Sequence, residues 1–200
     1  MRHHKPALTD PGALELQGRQ PDPWESAEAA YRTAEAVVGR GRAGADPELT
    51  RRLIGLVDEV GLSVVAELWS RRPARSLPGA LWRLYLLDQW VQRQPEEVGR
   101  AFTDGAGHAE VYRVIAGVAE PPSPQDLCAL TRQILAGVFE GDLGVALERA
   151  AAFCQVMAVG LTQPGGDDIP GERVRQAARM RGTADDLQAC ARLWRQGDLH

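Results

Sequence analysis

Lysine is almost missing from this chain of 200 residues: Lys5 stands alone, and the other 22 of the 23 cationic side chains are arginine. Arginine grips phosphate with a planar fork where lysine offers a point charge, so the bias invites a nucleic-acid reading. Gly and Ala are abundant beside it, however, and GC-rich coding accounts for all three at once. The net charge of −4 leaves no global positive field to draw the chain onto nucleic acid or anionic lipid. Histidine is scarce as well, with only His3, His4, His108 and His200. No ExxH pair occurs, so a di-iron carboxylate bundle lacks its ligands. No HExxH, GxSxG or Walker A run is present either. The three cysteines, Cys128, Cys154 and Cys190, are odd in number and share no CxxC spacing, which argues against a disulfide framework or a zinc site. They read as core thiols in a reducing cytoplasm. Asp167 and Asp168 could touch a hard cation, but two adjacent loop acids read as solvated. Long hydrophobic runs are missing too: "AAAFCQVMAVGL" at 150–161 is too short to span a bilayer, and "MRHHKPALTD" has no apolar signal-peptide region. The expectation is a cytoplasmic protein with no membrane role, no cofactor and no metal.

What the chain does have is helical periodicity. Residues 1–22 carry Pro6, Pro11 and Pro21 and show no period, as a disordered arm would. Trp24, Ala27, Tyr31, Ala34 and Val38 then recur at steps of three and four, one helical stripe. Asp22-Pro23-Trp24-Glu25 supplies a capping residue, a proline-set first turn and an early acid. Asp46-Pro47 predicts a second helix with Leu49, Leu53, Leu56, Val57 and Val60 on one face. A third follows Gly61, marked by Leu62, Val65 and Trp69. Residues 79–93 predict a fourth, apolar almost all round except for a wedge of Asp88, Gln89, Gln92 and Arg93, and therefore surrounded by protein. Pro95-Glu96-Glu97 opens a short fifth helix with Val98 and Phe102, ended by a glycine-rich loop at 103–108. Residues 111–118 fit a helix better than a strand. "EPPSP" at 120–124 is the strongest punctuation and a candidate sub-domain boundary. Ser123 to Asp126 reads as a capping box ahead of Leu127, Leu130, Ile134 and Val138. Residues 143–160 predict a second central helix, and a loop at 162–171 leads to two last helices meeting at Gly182-Thr183. The expected fold class is all-α: an arm over 1–22, then one bundle of about eight helices over 23–200, with 79–93 and 143–160 at its core. Residues 49–67 and 130–148 also align without gaps at Leu49/Leu130 and seven further pairs, a match that a Leu/Ala/Arg-rich chain produces by chance.

Three stretches carry functional suggestions. "GRGRAG" at 39–44 is a literal GxGxxG, the pattern that admits a dinucleotide pyrophosphate between a strand and a helix. Its "AVV" belongs to a helical stripe, and no later strands supply a doubly wound sheet, so a glycine helix terminator fits better. "ERVRQAARMRGTADDLQACARLWRQ" suggests a helix-turn-helix, with Arg173, Arg175, Arg179 and Arg181 as nucleic-acid contacts. The second helix would then meet base edges with Thr183, Ala184, Asp185 and Asp186, whose carboxylates phosphates repel; a helical hairpin with a solvated arginine face fits better.

The third is "LPGALWRLYLLDQWVQRQ", where Arg83 sits inside an apolar arc. A buried guanidinium requires a carboxylate or an aromatic face, and Glu67 and Glu148 are the natural acids. The simpler expectation is a structural Arg–Glu pair. The functional one places Arg83, Trp82, Tyr85, Trp90, Glu67 and Glu148 around a pocket between the central helices, for an anionic or aromatic ligand.

At "LPGALWRLYLL", "VIAGVAEPPSP" and "GVALERAAAFC" the chain resembles a family of uncharacterised proteins from high-GC actinobacteria, over about residues 60–160. The resemblance implies a bacterial cytoplasmic origin and carries no activity or site residues. The leading functional expectation is a non-catalytic adaptor or regulatory protein. A protein partner or a homo-oligomer is preferred to nucleic acid. The alternatives are a small-molecule pocket protein, sensor or unusual enzyme, and a DNA-binding protein using the C-terminal helix pair.

Overall fold

Local capping explains where several helices begin. The computed structural model describes residues 22–39, 61–108, 121–136, 139, 141–163 and 170–200. Its regular structure is entirely α-helical: α1 Pro23–Gly39, α2 Leu62–Ser70, α3 Leu77–Arg93, α4 Pro95–His108, α5 Pro124–Leu135, α6 Leu143–Gly160 and α7 Pro170–Gln196. That makes seven helices among the described residues where the sequence suggests about eight. Almost all of the expected arm, the glycine run beyond Gly39, the helix after Asp46-Pro47 and residues 111–118 lie outside them. Asp22 opens α1, its Oδ1 accepting from the Trp24 N–H at 3.0 Å. Ser123 and Asp126 close the expected capping box on α5, and those Ser123 hydrogen bonds hold the Asp126 carboxyl below its ordinary pKa. Ser76 caps α3 by accepting from the Gly79 N–H at 3.2 Å, so α3 starts two residues before the expected 79.

The packing falls into two groups of helices. In one, α3 lies against α1, α2 and α5; in the other, α6 lies against α4 and, most extensively, α7. Contacts of α3 with α4 and α7, and of α5 with α6, join the groups, and a single buried cluster draws on all seven helices. It includes residues from both sides of 120–124. Between α1 and α2, the buried Trp69 indole N–H donates to the Thr33 hydroxyl at 3.1 Å. Between α4 and α6, Phe102 and Phe153 stack with ring centroids 5.8 Å apart. By length and hydropathy α6 alone among the described helices could cross a membrane, although the run within it reads as too short, and 72% of that 18-residue stretch is buried inside the protein.

Two expected boundaries are corrected. The glycine-rich loop at 103–108 is the last part of α4. A Cβ on Gly105 would stand 2.0 Å from the Val156 carbonyl oxygen, and one on Gly160 would stand 1.7 Å from that of Ala101. Gly105 therefore permits a close helix crossing and does not end the helix. The two terminal helices are one, since α7 runs unbroken through Gly182-Thr183 for 27 residues. A mid-helix glycine costs about 1 kcal/mol relative to alanine, which burial of Ala177, Ala184, Leu187 and Cys190 outweighs. The turn that a helix-turn-helix or a hairpin requires is not there.

Candidate functional site

The site begins with α3. Its buried side includes Leu77, Ala80, Leu81, Leu84 and Leu87, but protein does not surround it. Leu86 is 44% exposed, and Trp82, Arg83, Tyr85 and Trp90 are half-buried. Where α3 meets α7, Leu86, Leu87, Trp90 and Met180 form the apolar part of a cleft of about 310 Å³. Arg83, Gln176, Arg179 and Thr183 complete its lining. Arg83 meets Asp186 at one end and Trp90 faces the same cleft as Gln176 at the other, so the two helices run antiparallel. Both central helices were expected to flank a pocket. Instead α6 packs on α4 and α7, and α7 takes its place opposite α3.

The two cleft arginines differ in what holds them. Arg83 donates from Nη2 to Asp186 Oδ2 at 2.9 Å and from Nη1 to the Gly79 carbonyl at 3.1 Å. Asp186 also takes the Arg75 Nε–H, at 3.2 Å. Arg83 is thus paired with an acid, as a half-buried guanidinium requires, but that acid is Asp186 and neither Glu67 nor Glu148. Arg179 is 60% exposed and donates from Nη2 to Glu172 at 2.9 Å. Glu172 also pairs with Arg175, at 2.7 Å, and these two guanidiniums, Arg179 foremost, hold its carboxyl below the usual range. The Trp90 indole N–H is engaged by Gln94 at 2.7 Å, which leaves its ring as its contribution to the cleft. The Thr183 hydroxyl is turned back onto the Arg179 carbonyl, at 3.0 Å.

Of the six residues expected around a pocket, Arg83 and Trp90 line the cleft. Trp82 and Tyr85 stack on each other, centroids 5.7 Å apart, and belong to no part of its lining. Glu67 is exposed on α2. Glu148 is claimed by Arg195 in a bidentate pair at 2.5 and 2.6 Å. The arginines proposed for nucleic acid are dispersed in role: Arg173 donates to the Leu161 carbonyl at 3.2 Å, Arg175 and Arg179 share Glu172, and Arg181 is exposed. Sequence reading missed Leu86, Leu87, Gln176, Met180 and Thr183. The signal for the last three is their spacing on one face of a helix, lost once that helix is divided at Gly182.

Asp88, part of the polar wedge of α3, is 5% exposed. The Gln92 amide donates to it and Arg132 on α5 pairs with it at 3.4 Å. Burial, with the Asp88 carboxylate next in effect, pushes the Cys128 thiol up to about 11. Burial also pushes Cys190 to about 11 and Cys154 to about 12. All three are unpaired, buried thiols, unreactive in the folded state. The cleft can hold an apolar body against Trp90 and Met180 while presenting guanidinium donors to an acceptor. Comparison with family models, with curated proteins and with solved structures finds nothing that matches this chain.

Proposed function

We propose that this chain is a non-catalytic regulatory protein that binds a small ligand in the cleft between α3 and α7. One observation carries the reading: Leu86, Leu87, Trp90 and Met180 leave a shared concavity open where α3 meets α7. A single exposed leucine means little, but four apolar side chains lining one cleft are a ligand surface. Its volume of about 310 Å³ lies at the small end of ligand sites. A protein partner engages about 20–30 residues a side, far more than this cleft offers. Among the described residues the other large exposed apolar side chains, Trp24, Val64, Val145 and Val174, are spread over four helices, which weakens the adaptor reading. The lining holds no carboxylate, imidazole or thiol to carry a proton near neutral pH, which supports binding over chemistry. Unpaired buried thiols and the arginine bias support a place in a bacterial cytoplasm.

The test is native mass spectrometry on gently purified protein, beside a Leu86→Asp variant. Leu86 is exposed enough for the variant to fold, which circular dichroism checks. A small co-purifying mass, absent from the variant, is the expected result. A bare monomer in both samples, or a protein partner indifferent to Leu86→Asp, overturns the reading.

A further inference from the structure

Resting on that reading, we infer that the ligand is an apolar monocarboxylate of about ten non-hydrogen atoms, its body against Trp90, Leu86 and Met180 and its head on Arg179. Size is set by the cleft. A water molecule in the liquid occupies about 30 Å³, so about 310 Å³ holds on the order of ten waters or a ligand of similar heavy-atom count. Sign is set by the lining, which contains two arginines and no acid. The arginines are not equivalent, and this fixes where the head goes. Asp186 and the Gly79 carbonyl hold the Arg83 guanidinium, and its Nε is sealed from solvent. Arg179 is exposed, and its acid, Glu172, is divided between two guanidiniums. A guanidinium has five N–H donors, so Arg179 can donate to a second carboxylate beside Glu172. Glu97, which takes the Gln176 amide at 3.5 Å, is a further acid beside the cleft among the described residues. One available arginine among such acids matches a single negative charge. A phosphate, with a charge near −2 at neutral pH, would be poorly neutralised. The Trp90 ring, with its N–H already satisfied, suits an aryl or alkyl body.

Two probes of matched shape test this: 4-phenylbutyrate and its neutral counterpart 4-phenylbutanol, titrated by calorimetry into the full chain at low salt. The carboxylate should bind about two- to fivefold more tightly, the range for an ion pair near solvent. Arg179→Gln should erase that preference, so that the two probes bind alike. Glu172→Gln should widen it, because the competing carboxylate is gone. Leu86→Asp should abolish binding of both probes. Equal binding of the two, still lost in Leu86→Asp, overturns the carboxylate head while the cleft stands as the site. Binding of neither overturns the ligand class, and the fate of the cleft is then read separately in the native mass measurement.

Discussion

Asp186 shows how much one carboxylate can organise. It accepts from Arg75 and Arg83, so α7 is tied both to the turn before α3 and to α3 itself. Arg83 and Asp186 are each 21% exposed, and removing one partner strands the other in a partly dry site. Asp186→Asn should cost about 1–3 kcal/mol, read as a lower urea midpoint at unchanged slope. Replacing both partners by apolar residues, as in Arg83→Met with Asp186→Leu, should recover much of that loss. The cysteines give a second test. Each folded thiol titrates above its ordinary value of 9.0, at about 11 for Cys128 and Cys190 and about 12 for Cys154. The folded state holds those protons more tightly than the unfolded chain, so this contribution is complete below pH 9 and is lost as pH rises through the folded values. Thermal midpoints should fall between about pH 9 and 12, and a thiol reagent at pH 7 should label only as fast as the protein opens. That Arg83 must be paired is legible in the sequence, because its neighbours are apolar. Which acid pairs with it is not, because the answer lies 103 residues away on a helix whose continuity local signals obscure.

Among the helices, glycine is the informative residue, and its meaning depends on what lies opposite. Gly105→Ala or Gly160→Ala drives a methyl into the backbone of the facing helix and should destabilise by about 3 kcal/mol, with α4 lifted off α6. Gly182 has open space where a Cβ would go. Gly182→Ala should therefore stabilise by about 1 kcal/mol, read in the same melts. A turn at that position would reverse the sign, so this variant tests the continuity of α7 directly. The starts of α1 and α5 are legible because caps are local chemistry, with Asp22 and Ser123 bonding to N–H groups two or three residues on. The glycines mislead because sequence weighs them as breakers, whereas Gly105 answers to the Val156 carbonyl of another helix and Gly182 to nothing at all.

For the molecule as a whole, the all-α class follows from periodicity alone, and α6 matches its expected span of 143–160. The partition into two groups does not follow, because apolar α3 and apolar α6 look like natural neighbours and pack elsewhere. The cleft lies on the seam between those groups, so its occupant should bind both. Saturating ligand should raise the thermal midpoint of the wild type and leave Leu86→Asp unmoved, followed by tryptophan fluorescence or calorimetry. The reach of α7 has a further consequence for how the chain is made. Leu77 donates to the His200 carbonyl at 2.8 Å, Arg83 waits for Asp186, and α6 relies on α7 for its most extensive cover. A ribosome therefore releases α3 well before the helix that closes over it. Contacts so distant in sequence delay folding, and stalled nascent chains ending before residue 170 should stay protease-sensitive and draw on holdase chaperones. On that expectation, a folded state should become available only once α7 has been made.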